Sequence, residues 1–135
     1  MTLGEIKEQV MFQTNNDAED VGDFLPSLTD YVNEGYDLLV YAYDHQHVDE
    51  MSSEYPPLDM DADEPALPGW THRALADWAT WLVYRNGNPQ KQQRGMQFKF
   101  SFESVLARIA DGGGADGLNE DGTQKRYRNF INIPV

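Results

Sequence analysis

The sequence predicts an all-α protein: a small four-helix bundle with a long acidic loop between helices 2 and 3 and an extended C-terminal arm. Apolar residues recur at three- and four-residue steps in four separate segments, as in helices that bury one face. Helix start signals, among them Thr2, Pro26 and Pro89, separate these segments. The 135 residues are expected to form one helical domain at 1–110, followed by a Gly-rich linker and arm at 111–135.

The first helix is predicted to begin after Thr2. Thr2 and Glu5 fit a capping box, in which each side chain accepts a hydrogen bond from the backbone amide of the other residue. An apolar stripe at helical spacing follows, made of Leu3, Ile6 and Val10. Asn15–Asp17 is expected to end the helix, because Asn and Asp favour turns.

The second helix is predicted to start between Asp23 and Ser27 and to run to about Tyr43. Pro26 fits only a first turn, where its missing N–H is not needed. One apolar face is shared by Phe24, Leu28, Tyr31, Val32, Gly35, Leu38, Leu39 and Ala42. Gly in a helix interior costs about 1 kcal/mol relative to Ala. We therefore interpret Gly35 as a point of close approach by another helix.

The third helix carries all three tryptophans of the chain, Trp70, Trp78 and Trp81. Its apolar face is predicted to consist of Ala74, Leu75, Trp78, Trp81, Leu82 and the stem of Arg85. Its polar face is predicted to consist of Arg73, Asp77, Thr80 and Tyr84. Gly87 is expected in a left-handed conformation after the helix, with Pro89 in the first turn of the next one. Helices 3 and 4 would then form an αα-hairpin.

The fourth segment fits two patterns in its middle. Met96–Phe102 alternates with period two, which is typical of a strand. A helical spacing extends over a longer stretch and involves Phe98, Phe102, Val105, Leu106 and Ile109. We favour the helix, with an irregular turn near Gly95.

Charge separates two regions of this acidic chain, whose formal net charge is −13. Residues 44–64 contain eight acids and no Lys or Arg, whereas residues 78–102 contain four Lys or Arg and no acid. A strongly negative protein is a poor ligand for phosphate backbones and anionic lipid. No apolar run approaches the ~20 residues that span a bilayer, so we expect a soluble protein that does not bind membranes.

Several chemical sites can be considered and are not favoured. His45 and His47 could suggest a metal site, but the surrounding segment lacks a rigid set of three or four ligands. Residues 116–122 resemble part of a calcium loop whose register fails. Ser101 and His72 have no orienting acid beside them in the sequence. The absence of cysteine excludes thiolate metal sites and cysteine nucleophiles. Because none of these candidates forms a complete site, the sequence predicts no enzyme, no metal site and no cofactor.

Two stretches together carry a family resemblance. One combines Thr2-Leu-Gly-Glu-Ile-Lys with Leu28-Thr-Asp-Tyr-Val-Asn-Glu-Gly-Tyr-Asp, and the other runs from Leu67 to Gln92. The chain resembles the head–tail connector (neck adaptor) proteins of tailed bacteriophages and prophages. That family has a long second helix with an Asn-x-Gly-Tyr section, an acidic Tyr-Pro-Pro-Leu loop and a Trp-rich helix ending in Tyr-Arg-Asn-Gly-Asn. The resemblance covers most of residues 2–109 and does not extend past Ile109.

The resemblance implies a virion structural protein, made in the cytoplasm of a bacterial host and located in the phage neck. Such adaptors form a ring, commonly a dodecamer, that joins the portal protein to the next neck or tail component. DNA passes through the ring without specific binding. The alternative that the residues leave open is an acidic binding protein, a DNA mimic that inhibits a nucleic-acid enzyme. Placement of the densest acids in a Pro-rich loop counts against this alternative.

Three sets of residues are candidate contact surfaces. We expect an acidic set to face a neighbouring subunit or the channel lumen: Asp49, Glu50, Glu54, Asp59, Asp61, Asp63 and Glu64. We expect a basic set to be either a docking face or a solvated helix face: Arg85, Lys91, Arg94 and Lys99. We expect an arm set to bind the portal or a tail component, by strand pairing or by inserting its apolar side chains: Tyr127, Arg128, Phe130, Ile131 and Ile133.

Overall fold

The computed structural model describes residues 1–14, 24–46 and 55–111. Four helices occur in these ranges: α1 (Leu3–Gln13), α2 (Leu28–Gln46), α3 (His72–Arg85) and α4 (Pro89–Ala110). Short 3₁₀ turns at Leu25–Ser27 and Gly69–Thr71 lead into α2 and α3. No strand occurs among the described residues, so the prediction of an all-α bundle is confirmed. No described helix combines the length and hydropathy needed to cross a membrane.

Local signals set the helix starts. The Thr2 hydroxyl accepts from the Glu5 amide at 3.2 Å, and the Glu5 carboxylate accepts from the Thr2 amide at 2.8 Å, which confirms the capping box. At the start of α4 the Asn88 side chain accepts from the Lys91 amide at 2.9 Å, with Pro89 in the first turn. The predicted stop of the first helix lies outside the described residues.

The hairpin of α3 and α4 is antiparallel, as predicted. Three ring contacts run along it in reverse order: Tyr84 with Phe98, Trp78 with Phe102, and the Trp70 ring beneath the Arg108 guanidinium. The shortest separations are 4.7 Å between the Trp78 and Phe102 centroids and 4.2 Å from the Arg108 guanidinium to the Trp70 centroid. These tryptophans are therefore packing residues between helices.

Helix α3 lies at the centre of the bundle and packs against the other three helices. Nine of its 14 residues are buried, more than a helix with one solvent face can bury. The predicted polar face is therefore wrong at Thr80 and Tyr84, which are both buried. Thr80 is covered by α1 through Gln13, and Tyr84 by α4 through Phe98. Of the predicted face, only Arg73 is exposed.

Two glycines admit close approach to α3. A Cβ on Gly35 would lie 3.1 Å from the Trp78 Cβ, which confirms the interpretation of Gly35. A Cβ on Gly95 would lie 2.7 Å from the Tyr84 Cβ. The expected irregular turn near Gly95 is wrong, because α4 is continuous there. Gly87 was also predicted wrongly: its φ lies outside the left-handed region, and it sits instead against the Lys91 side chain.

Helix α1 runs parallel to α3. The Met1 amino group lies 2.8 Å from Nδ1 of His72, at the start of α3. At the other end of α1, Gln13 bonds with Asp77 and Thr80, further along α3. The bundle therefore has a loop end, where α1 and α3 begin, and a hairpin end, where Arg85 closes α3.

Replacing Gly95 with Ala tests the hairpin packing. We expect Gly95→Ala to lower the free energy of unfolding by about 1–3 kcal/mol, although Ala is the better helix former by about 1 kcal/mol. The new Cβ would overlap the Tyr84 Cβ, which its own backbone holds in place. Urea denaturation measures the change. Gly69→Ala is the matched control, since its Cβ would meet nothing within 4 Å. Equal stability of Gly95→Ala and the unaltered chain would contradict the packing.

Candidate functional site

The acidic segment, residues 55–68, packs on the loop end of the bundle. The Leu3 amide donates to the Asp63 carbonyl at 2.7 Å, and the Gly4 amide donates to the Asp61 carbonyl at 3.0 Å. Amides in the first turn of a helix have no partner within the helix. Main-chain oxygens of the acidic segment thus complete the N-terminus of α1, and the segment follows a fixed path.

One turn of α2 holds the acidic segment in place. The Asn33 side chain accepts from the Leu58 amide and donates to the Leu58 carbonyl, both at 2.8 Å. The Tyr36 hydroxyl accepts from the Ala66 amide at 2.9 Å. Burial raises the pKa of Tyr36, so the phenol stays protonated at neutral pH. The sequence analysis missed both anchors, although Asn33 and Tyr36 belong to the Asn-x-Gly-Tyr section.

The carboxylates of the acidic segment differ in what they contact. Asp63 accepts from the amides of Met60 at 2.8 Å and Asp59 at 2.9 Å, and these two hydrogen bonds lower the Asp63 pKa. Asp61 pairs with Lys7 at 2.9 Å. Asp59 and Glu64 are exposed. Two members of the predicted acidic set, Asp61 and Asp63, therefore stabilise the fold. Three other members, Asp49, Glu50 and Glu54, lie outside the described residues.

An open groove of about 520 Å³ follows the outer face of α1, between the turn before α2 and the acidic segment. Its lining residues are Thr2, Gly4, Glu5, Lys7, Glu8, Met11, Leu25, Leu28, Asp61 and Ala62. Three acids against one lysine make the lining negative. Met11 and Leu25 add apolar side chains that are 44% and 49% exposed.

The predicted basic set lies toward the hairpin end. Arg85 closes α3, and Gln92 ties the turn by donating to the Arg85 carbonyl at 3.0 Å. The Lys99 ammonium lies 5.5 Å from the Trp81 ring centroid. Arg94 and Lys99 are five positions apart on a continuous helix, so they point about 140° away from each other. The four residues surround the hairpin and do not form one flat face.

Acidic and basic regions thus occupy opposite ends of the bundle. The exposed Asp59 and Glu64 are on the acidic segment at the loop end, whereas Arg85 closes α3 at the hairpin end. The 14 residues of α3 correspond to about 20 Å at 1.5 Å per residue. Arg73 and Arg108 are also exposed at the loop end, so this separation holds for the two predicted sets and not for every charge of the described residues.

A polar cluster joins α1 to α3. The Gln13 side-chain amide donates to Asp77 at 2.9 Å and accepts from the Thr80 hydroxyl at 2.7 Å. Burial raises the pKa of the Asp77 carboxyl, and the hydrogen bond from Gln13 and the charge of Arg73 oppose this effect. This cluster was not predicted, because Asp77 and Thr80 were assigned to the face of α3 opposite its apolar side chains.

The residues considered above as chemical sites do not lie together in the described structure. His72 is buried, and its ring nitrogens lie 2.8 Å from the Met1 amino group and 2.8 Å from the Leu67 carbonyl. Ser101 is exposed on α4. Within the described ranges, no group of three His, Asp or Glu could hold a metal ion. Residues 47–54, the calcium-loop candidate at 116–122 and the arm set lie outside those ranges.

Comparisons with protein-family models, with curated proteins and with solved structures give no match to this chain. The resemblance to neck adaptors therefore stays a prediction based on the residues themselves.

Replacing Asn33 with Ala tests the anchoring of the acidic segment. We expect Asn33→Ala to lower the free energy of unfolding by about 1–3 kcal/mol, because two main-chain groups of Leu58 lose their partner. Hydrogen exchange should also become faster at the Leu58 amide. Asn86→Ala, at an exposed position beyond α3, is the matched control. Unchanged exchange at Leu58 in Asn33→Ala would contradict the anchor.

The raised pKa of Asp77 predicts that the free energy of unfolding depends on pH. Its raised pKa means that the folded chain binds this proton more tightly than the unfolded chain, so its stabilising contribution is lost as pH rises through the raised value. Asp77→Asn keeps an oxygen for Gln13 and removes the charge. We expect its stability relative to the unaltered chain to increase with pH. Urea denaturation between pH 4 and 8 measures this, with exposed Asp59→Asn as a charge control; a pH-independent difference would contradict it.

Proposed function

We propose that this protein is a virion structural protein of the phage neck, forming a ring that joins the portal to the tail and continues the DNA channel. The resemblance of residues 2–109 to neck adaptors suggests the class. The observation that carries the proposal is the placement of exposed residues of the acidic and basic sets at opposite ends of the bundle. Copies of the chain, the portal protein and the next neck or tail component are the proposed partners.

Opposite charge at the two ends favours contact between different surfaces of neighbouring copies. A closed ring with more than two subunits uses such heterologous interfaces, in which each subunit presents two different patches. Like ends repel and unlike ends attract, so charge disfavours contacts between two like ends. Asp59 and Glu64 at the loop end, with Arg85 and Arg94 at the hairpin end, are the proposed contact residues.

The overall charge suits a channel that DNA must pass through without adhering. With a net charge of −13, the chain repels phosphates over distances comparable to the Debye length, about 8 Å at physiological salt. In this proposal the acids that do not contact a neighbour line the lumen. The arm set contacts the portal or the next component.

A second candidate function is an acidic DNA mimic that inhibits a nucleic-acid enzyme. The anchoring of the acidic segment by Asn33 and Tyr36 favours this candidate, because a mimic needs its carboxylates on a fixed surface. Two observations weigh against it. The Asp63 carboxylate is turned to its own backbone amides, and that of Asp61 is paired with Lys7.

Light scattering distinguishes these functions. We expect the chain, with a monomer mass of 15.4 kDa, to form a ring of several copies when it meets the portal protein of the same phage. Arg85→Glu combined with Arg94→Glu should weaken the ring, and adding Asp59→Lys and Glu64→Lys should restore it by exchanging the two charges. Gln97→Glu, an exposed change in the middle of α4, is the control.

Two results would contradict the neck assignment. One is a monomer mass both alone and with the portal, and the other is ring assembly that the charge reversals leave unchanged. Inhibition of a nuclease or polymerase by the isolated monomer would support the DNA mimic instead. Portal and capsid genes next to the coding sequence would support the neck assignment independently.

A further inference from the structure

The groove along α1 leaves an unusual amount of apolar surface open. Seven large apolar side chains are exposed among the described residues, and four of them lie on the elements that form the groove. These four are Met11, Phe12, Leu25 and Met60. An apolar patch bordered by charged residues is typical of a binding site. Of the bordering acids, Glu5 caps α1 and Asp61 pairs with Lys7, while Glu8 adds a further negative charge that favours a basic ligand.

The C-terminal arm of the chain has the matching composition. From Gly122 to Val135 it contains none of the 23 acids and three of the ten basic residues. Its basic residues come first, at Lys125, Arg126 and Arg128. Its large apolar residues are Tyr127, Phe130, Ile131 and Ile133, three of which lie in the last six residues.

The arm leaves the bundle near the groove. Helix α4 ends at Ala110, and the Arg108 guanidinium lies 4.2 Å from the Trp70 ring centroid. Trp70 lies in the turn before α3, and the first residue of α3, His72, contacts Met1. The groove begins beside Met1, at Thr2. The end of α4 and the start of the groove therefore share the loop end of the bundle.

The linker is long enough for the arm to bind its own chain. Thirteen residues separate Asp111 from Lys125, and an extended chain spans up to about 43 Å at 3.3 Å per residue. The 11 residues of α1 cover only about 17 Å. A Gly-rich tether of this length gives an effective concentration in the millimolar range. At micromolar protein, the chain's own arm therefore outcompetes the arm of another copy.

We propose that residues 125–135 dock in the α1 groove of the same chain. The order of residues along the arm fits the order along the groove. An arm entering beside Thr2 brings its basic residues first to the acidic part of the lining, which extends to Glu8. Its apolar residues then reach Met11 and Leu25, further along the groove. Docking places the apolar residues of the arm against those of the groove and brings positive charge beside its acids.

The inference goes beyond the proposed neck function and does not depend on it. For a neck protein, docking keeps the arm on its own subunit until the portal or a tail component displaces it. Arm release and assembly are then coupled, because a partner that binds the arm must outcompete the groove.

Disulfide trapping in the full-length chain tests the docking, since the natural sequence has no cysteine. The probe pair is Ala62→Cys with Asn129→Cys. Ala62 is an exposed residue of the groove lining, and Asn129 lies in the arm between the basic and the apolar residues. The matched control is Ala107→Cys, exposed on α4, with Asn129→Cys. We expect an intramolecular disulfide to form about 10-fold faster in the probe pair, at a rate independent of protein concentration.

A charge reversal adds a second readout. Glu8→Lys is expected to slow trapping of the probe pair, whereas Glu103→Lys, an exposed acid on α4, leaves the rate unchanged. Circular dichroism checks that each variant keeps its helices. Equal rates in the probe and control pairs would overturn the proposal, as would a predominant, concentration-dependent intermolecular disulfide. The isolated chain is used without portal, so failure here is separate from failure of the ring.

Discussion

A single turn of α2 contacts both the acidic segment and α3, and the rest of the bundle depends on these contacts. Asn33 clamps both main-chain groups of Leu58, and the Tyr36 hydroxyl holds the Ala66 amide. Between them Glu34 accepts from the Trp78 indole at 3.0 Å, and Gly35 lets the Trp78 side chain approach α2. Four consecutive residues thus join α2 to the acidic segment and to α3. Without them, main-chain oxygens of the acidic segment would not be placed to complete α1.

The central position of α3 follows from the same packing. Because Gly35 and Gly95 lack a Cβ, α2 and α4 can approach α3 closely. Helix α1 covers α3 through Gln13. A helix contacted by three others cannot move independently, so its two ends are fixed relative to each other. The 14 residues of α3 place Arg85 about 20 Å from the start of this helix at 1.5 Å per residue.

The acidic segment has two roles that composition does not separate. Main-chain oxygens of Asp61 and Asp63 cap α1, and the Asp63 carboxylate organises its own turn. The remaining exposed acids and the lining of the α1 groove share the loop end with the exit of the C-terminal arm. One end of the bundle therefore combines exposed acids, the start of the α1 groove and the end of α4, from which the C-terminal arm continues. The proposed ring contact and the proposed docking of the arm both draw on that combination.

The sequence by itself determined the local features of this protein. Capping by Thr2 and Asn88, the turn before Pro89 and the helical period of α4 depend on residues within a few positions, so the all-α class and the hairpin were predictable. The loop anchors and the groove were not, because Asn33 meets Leu58 across 25 positions. The polar face assigned to Thr80 and Tyr84 failed for a related reason. Periodicity assumes one solvent-facing side of a helix, and only tertiary packing decided that α3 has almost none.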